Sequence, residues 1–259
     1  MENRANDRQN EILGHLEKDH KISTRSLSQI FGVSEVTIRK DLMLLRQQGL
    51  VSRTHGGVAR VSPLQIEHSF AERRTVRLEE KRSIARAAST LVHAGETIML
   101  DISTTAYHLA LQLREMKGLR VVTNSVPVID ALSRCSGIEL IIIGGVFRNE
   151  ISSIVGTLAM DMIATMHADK AFLGTAGIVP QRGLTDADFR EVQIKQSMIK
   201  VSDELIVLTD SSKFGQQAFL SVAQISECHR IVTDEGIPAE YVDLCRNQGI
   251  TLDVCHVSS

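Results

Sequence analysis

The sequence predicts an α/β protein in two parts: an N-terminal winged helix-turn-helix over residues 1–60, then a larger domain built on a mainly parallel sheet. Three observations carry this. Two short helices with matching caps are joined only by Phe31-Gly32-Val33-Ser34. A short strand, a glycine turn and a return strand follow over Leu50 to Val58. From Thr97 onward strand-like and helix-like runs alternate, the pattern of parallel strands covered by helices on both faces.

Helix one is expected over Asp7 to Asp19, with Ile12, Leu13 and Leu16 on one side. Ser23 caps helix two, and Ile22 and Leu27 are spaced as a hydrophobic staple. The device repeats eleven residues later, with Ser34 as cap and Val33 and Ile38 as staple. Gly32 is free to take a positive φ and end helix two, so the pair reads as a helix-turn-helix over about residues 20–39. Helix three turns Ile38, Leu42 and Leu45 inward and stops at Gly49, before the wing.

Residues 61–76, with Pro63 and mixed charge, read as a linker, and the second domain takes 77–259. A helix through Lys81, Arg82, Ile84, Ala85 and Ala88 closes at Gly95. Strands are expected at Thr97–Asp101, Leu119–Thr123, Ile138–Ile143, Ala171–Gly174, Glu204–Thr209 and Arg230–Thr233. Helices are expected around Ala106–Leu113, Pro127–Arg134 and Glu191–Val201, with a last helix and strand over Ala239 to Val254.

Composition narrows the class. The longest apolar run, Ile138 to Val146, is broken by Glu139 and two glycines and is too short to cross a bilayer. Cys135, Cys228, Cys245 and Cys255 form no CxxC pair and no ligand spacing with histidine, which points to reduced thiols in a cytoplasmic protein. No metal, no cofactor and no membrane are expected. Net charge is −2, but residues 1–60 carry 10 Lys/Arg against 7 Asp/Glu while the remainder carries 19 against 24. The basic excess sits at the end that would meet phosphate.

The N-terminal residues of a recognition helix point at base edges in the major groove. Here these are Ser34, Glu35, Val36, Thr37, Arg39 and Lys40. Arg39 suits bidentate contact to guanine, and Thr37 and Lys40 serve a base or a phosphate. Thr24 and Arg25 open helix two near the backbone, and Arg53 and His55 on the wing reach phosphate or the minor groove.

In open α/β sheets, ligands bind beyond the carboxyl ends of the strands. Those positions hold Asp101-Ile102-Ser103-Thr104-Thr105, then Asn124-Ser125, Gly144-Gly145 with Arg148, Gly174-Thr175-Ala176-Gly177, and Asp210-Ser211-Ser212-Lys213. Hydroxyls and free N–H groups at a helix start suit a phosphate, with Lys213 as charge partner. The candidate ligand set is Asp101, Ser103, Thr104, Thr105, Asn124, Ser125, Gly144, Gly145, Arg148, Gly174, Thr175, Gly177, Asp210 and Lys213.

The run Val33-Ser34-Glu35-Val36-Thr37-Ile38-Arg39-Lys40-Asp41-Leu42, with Gly49-Leu50-Val51 and Arg53-Thr54-His55-Gly56-Gly57-Val58, resembles the signature of the DeoR family of bacterial regulators. Glu80-Lys81 through Asp210-Ser211-Ser212-Lys213-Phe214-Gly215 are similar to that family's C-terminal sensor domain, itself similar to ribose-5-phosphate isomerase. The resemblance implies a winged helix-turn-helix that binds double-stranded operator DNA and a phosphosugar-sensing α/β domain. It also implies that a phosphorylated sugar or sugar alcohol changes the affinity for DNA, with repression of a carbohydrate or sugar-alcohol operon as the function.

Two departures stand out. The loop after the first strand has Ser103 where the family usually has glycine. The isomerases carry acids in the loop matching Gly174–Gly177, where this chain has Ala176 and Gly177. A general acid/base reaction needs a group to move the proton, so no catalytic residue is expected. The competing reading is an isomerase-like enzyme with a DNA-binding appendage, in which Asp186, Asp188 or Glu191 supplies the missing acid. A third reading is a protein-interaction module without salt-dependent DNA binding. Symmetric operator recognition predicts a homo-oligomer, a dimer or a tetramer.

Overall fold

The computed structural model describes residues 8–9, 11–16, 21–47, 51–54, 57–60 and 69–257. The chain forms two compact units, Met1–Ile66 and Glu67–Ser259.

In the first unit, residues 11–16 are helical (α1). They are followed by β1 (Lys21–Ser23), α2 (Thr24–Phe31), α3 (Glu35–Gln47), β2 (Val51–Thr54) and β3 (Gly57–Arg60). Ser23 Oγ accepts from Ser26 N at 2.9 Å and Ser34 Oγ from Thr37 N at 3.2 Å, so both helices carry the expected caps. Gly32 ends α2 at φ 61°, ψ 28°, a left-handed turn that a side chain would disfavour. The staple residues Ile22, Leu27 and Ile38 join one core with Ile12, Leu16, Leu45, Val51 and Val58, and Val33 packs against it half-buried. Strand β1 pairs antiparallel with β3, and β3 with β2, so the wing is rooted in a strand that precedes the helix pair. A part-buried bidentate pair, Arg8 Nε to Asp41 Oδ2 at 2.6 Å and Arg8 Nη2 to Oδ1 at 3.1 Å, fastens the first helix to α3.

The second unit opens with α4 (Phe70–Thr75) and α5 (Leu78–Ser89). The expected linker, 61–76, therefore ends in a helix that belongs to the second unit. Ser69 and Glu72 form a reciprocal capping box, and Phe70 is buried with its ring edge-on to Tyr107, 5.5 Å between centroids. Capping and one buried aromatic offset the weak propensity of so short a segment.

There follow β4 (Thr97–Leu100), α6 (Thr104–Gln112), β5 (Leu119–Thr123), α7 (Val126–Leu132) and β6 (Ile138–Ile142). A hairpin of β7 (Val146–Arg148) and β8 (Ser153–Val155) leads to α8 (Thr157–Ala164) and β9 (Ala168–Leu173). Then come β10 (Gly177–Val179), β11 (Gly183–Asp186), α9 (Phe189–Lys200), β12 (Ser202–Leu208), β13 (Leu220–Ala223), β14 (Arg230–Asp234), α10 (Ala239–Asn247) and β15 (Thr251–Cys255). Seven parallel strands form one sheet in the order β15-β14-β12-β9-β4-β5-β6, and β10, β11 and β13 form a small antiparallel sheet beside it.

The strands alternate between two cores. Ile98, Leu100, Ile206 and Leu208 face the core shared with α5, α6 and α7. Met99, Leu205 and Val207 face the core shared with α8, α9 and α10. Both faces are buried, hence near-continuous apolar strands. The amino-terminal rim of the sheet is laced together: Gly95 N donates to Gly118 O at 2.7 Å and Gly118 N to Gly137 O at 2.8 Å. Thr97 N donates to Asp169 at 2.7 Å and Arg120 Nε to Glu139 at 2.8 Å on the same rim.

Candidate functional site

On α3 of the first unit, Val36, Arg39 and Lys40 are exposed, and Glu35 and Thr37 are half-buried, clear of the inward Ile38 and Leu45. Ser34 is exposed but occupied as the cap. Arg39 Nη2 lies 3.2 Å from Glu35 Oε2, an exposed i,i+4 pair. Such pairs contribute about 0–1 kcal/mol, so a base edge competes easily for the guanidinium. Thr24 and Arg25 stand at the first turn of α2. Arg53 lies in β2, and His55 lies outside the described residues.

The second unit has its topological switch between neighbouring β4 and β9. From β4 the chain builds outward through β5 and β6, then returns to β9 and builds the other way. The loops leaving β4 and β9 therefore part, and it is in the crevice outside such a switch point that open sheets hold ligands. Asp101 ties the two loops together: Oδ1 accepts from Ser103 N at 3.0 Å and Oδ2 from Gly174 N at 3.1 Å. Ser103 adopts φ −67°, ψ 146° and its Oγ accepts from Ala106 N at 3.1 Å, capping α6. That backbone is open to any residue, so the departure from glycine at 103 leaves the loop unstrained. Thr104 and Thr105 fill the first turn of α6 and are buried.

A lysine that sequence reasoning did not single out completes this corner. Lys195, on the buried face of α9 with Glu191, donates to Gly174 O at 2.8 Å and to Asp186, and stands 3.3 Å from Asp101 Oδ2. Burial works against its charge, but Asp186 and Asp101 outweigh it and hold the ammonium protonated well above the usual lysine range. Lys195 is thus a fixed donor, and the carboxylates around it are acceptors for hydroxyl groups.

Asn124 and Ser125 are buried after β5. Asn124 Nδ2 donates to Ile154 O at 3.1 Å, while Asn124 Oδ1 and Ser125 Oγ have no hydrogen-bond partner among the described residues. Arg148 does not face open space. It is buried, 3.1 Å from Glu191 Oε1 and 3.3 Å from Asp188 Oδ2, and Ser153 Oγ donates to the same Glu191 oxygen at 2.6 Å. Burial raises the Glu191 carboxyl above its ordinary value although Ser153 and Arg148 pull it down. Burial also pushes Asp188 upward, but hydrogen bonds from Arg190 and the charge of Arg148 leave it below its ordinary value. Of the three acids that could serve the enzyme reading, Asp188 and Glu191 are engaged in this cluster and Asp186 is held by Lys195.

Gly144 and Gly145 are exposed. At 145 a Cβ would lie 2.6 Å from Val155 O, and at 177 one would lie 2.2 Å from Gln216 O, so close backbone packing explains both glycines. Thr175 Oγ1 donates to the carbonyls of Gly177 and Thr185, each at 2.9 Å. After β12, Asp210 Oδ1 accepts from Ser212 N at 3.1 Å and lies 3.3 Å from Arg77 Nε. Asp234 Oδ1 accepts from Ser211 N at 2.7 Å. Lys213 sits in the same turn, its charge facing Lys81. Arg77, Lys81, Asp186, Lys195 and Asp234 therefore join the loop residues named from sequence. Helix-borne cations read as solvated faces in sequence, and only the tertiary fold buries Lys81 and Lys195.

A winged helix-turn-helix joined to an α/β unit with buried polar groups gathered at its switch point is the build of a DNA-binding regulator. Residues 8–63 match the DeoR-like helix-turn-helix domain and residues 76–235 the DeoR C terminal sensor domain. The chain belongs to the DeoR family; it is a transcriptional regulator, not an enzyme. It is 32% identical over 248 residues to a glycerol-3-phosphate regulon repressor of Escherichia coli, covering 96% of this chain and 98% of that one. It is 32% identical over 241 residues to the HTH-type transcriptional repressor GlcR of Bacillus subtilis, covering 93% of each. With the HTH-type transcriptional regulator IolR of Bacillus subtilis it shares 31% over 229 residues, 88% of this chain and 91% of that one. Ribose 5-phosphate isomerase A from Methanocaldococcus jannaschii aligns over 52% of this chain and 53% of its own at 19% identity, with a TM-score of 0.39, a likeness too distant to bear on function. No helix among the described residues is long and apolar enough to cross a membrane.

Proposed function

We propose that this regulator represses a carbohydrate or sugar-alcohol operon and leaves its operator when a phosphorylated sugar or sugar alcohol occupies the crevice between β4 and β9. The observation that carries this reading is the pairing of fixed donors and acceptors across the switch point. Asp101 holds Ser103 N and Gly174 N, and Lys195 stands between Asp101 and Asp186. Hydroxyl groups suit these buried acids and the unpartnered Asn124 Oδ1. An anionic phosphate is repelled there and suits the cationic side of the site at Lys213, Lys81 and Arg77, beside the first turn of α6 with Thr104 and Thr105. Asp210 and Ser125 shape the two ends.

At the DNA, Arg39 reads a base, Thr37, Lys40, Glu35 and Val36 line the groove, and Thr24, Arg25, Ser34, Arg53 and His55 serve the backbone or the minor groove. Two copies of the chain match two half-sites. The test is selection of a duplex from a random library by the full-length protein, then mobility shift with hexose, hexosamine and polyol phosphates. One phosphosugar is expected to release the duplex while its unphosphorylated parent does not. Release by none of them, or equally by the parent sugars, overturns the reading.

A further inference from the structure

The segment through which the chain enters the second unit is fastened to the ligand site itself. Helix α4 starts four residues after the first unit ends at Ile66. It is held at one end by the Phe70–Tyr107 ring contact, and toward the other His108, stacked edge-on against Tyr107, feels the Arg74 backbone. At the other end the buried ammonium of Lys81 donates to the carbonyl oxygens of Arg73 and, at 2.6 Å, of Val76. Arg77, the next residue, is a non-glycine in the left-handed region, φ 51°, ψ 48°. Its guanidinium lies 3.2 Å from Ser211 Oγ and 3.3 Å from Asp210 Oδ1. Strain of this kind persists only where surrounding contacts hold it.

We propose that α4 is the transmission element of this regulator: an anionic group arriving at the turn 210–213 draws Lys81 and Arg77 to itself, and α4 comes off the sensor unit. This transmission rests on the proposed phosphosugar site. Neutral carbonyls are weak partners for a buried ammonium, and burial pushes Lys81 down to about 8 despite the pull of Asp210. A phosphate offers charge-assisted hydrogen bonds, roughly twice as strong as neutral ones. Once Lys81 turns, the Arg73 and Val76 carbonyls lose their donor and the strained Arg77 relaxes. Each freed residue lengthens the unanchored chain by at most roughly 3.5 Å. DNA heads on longer unanchored chains lose the effective concentration that lets two of them bind as one.

The experiment combines amide hydrogen exchange over residues 70–76 with duplex binding, on full-length wild type, Phe70→Ala and Lys81→Gln. Phe70→Ala loosens α4 without touching the turn 210–213. Without ligand, both variants are expected to exchange their α4 amides faster, keep β9 protected and bind the selected duplex at least tenfold more weakly. Phe70→Ala keeps its affinity for the phosphosugar that releases wild type, and that phosphosugar speeds α4 exchange in wild type. Faster exchange with wild-type duplex affinity overturns the proposal. Unchanged exchange in both variants does so too, as does release by a phosphosugar that leaves α4 protected. If no phosphosugar binds, the ligand reading fails, while the two variants still decide whether seating α4 governs DNA binding.

Discussion

Ser103 and Gly174 meet across the two loops that part at the switch point: a Cβ on residue 174 would stand 2.3 Å from the Ser103 Cβ. Room for one side chain is shared between two loops. Gly174→Ala is therefore expected to cost about 1–3 kcal/mol by overpacking and to weaken phosphosugar binding. Adding Ser103→Gly restores the space, so the double variant recovers most of the loss. Urea unfolding and ligand titration of the four proteins in this cycle check it; strictly additive effects would show that the contact is not shared.

Lys195 bridges two acids, Asp101 and Asp186, in the buried corner. Lys195→Met leaves Asp101 and Asp186 facing each other without their cation, and breaking a buried pair in this way costs about 3–5 kcal/mol. The unfolding midpoint in urea should drop accordingly. A variant as stable as wild type would show that the acids find other partners.

His108 gives the stability a pH slope. Burial, together with the charges of Lys81 and Arg82, lowers it from 6.5 to about 4, so the folded protein keeps it neutral where the unfolded chain is protonated. The unfolded state then binds more protons between those values, and stability falls as pH drops from 6.5 toward 4. His108→Gln should flatten urea stability across that window, whereas an unchanged slope would place its origin elsewhere.

At the recognition helix, Arg39→Ala should relax preference at one base pair by about 1–3 kcal/mol. Lys40→Ala should weaken all duplexes alike and lower the salt slope by about one. Glu35→Gln frees Arg39 from its pair and removes a negative charge, so binding should tighten without gaining selectivity. Competition mobility shifts at several salt concentrations separate the three; equal selectivity in Arg39→Ala and wild type would remove Arg39 from base reading.

Much of this architecture was legible in the residues because it depends on local patterns. Ser23, Ser34 and Gly32 mark helix ends by chemistry that acts within four residues, and the parallel strands show as apolar runs. What escaped depends on distant partners. The β7–β8 hairpin is three residues a side, too short for alternation to register. Helix α4 is sustained by Tyr107, far along the chain. Arg148 reads as a cation beside a glycine pair, and only folding brings Glu191 and Asp188 to it. Lys195 reads as one more polar residue of α9 until the crevice forms around it. Gly145 and Gly177 are explained by neighbours at Val155 and Gln216 that no spacing reveals.

The two rims of the parallel sheet carry different burdens. Along the amino-terminal rim the Gly95, Gly118 and Gly137 turns bond to one another, and the pairs Thr97–Asp169 and Arg120–Glu139 add to the lacing. The loops that hold Asp101, Gly174 and Lys195 lie on the opposite rim, a strand length away, so a change there can cost stability locally while these bonds that keep the strands in register stay in place.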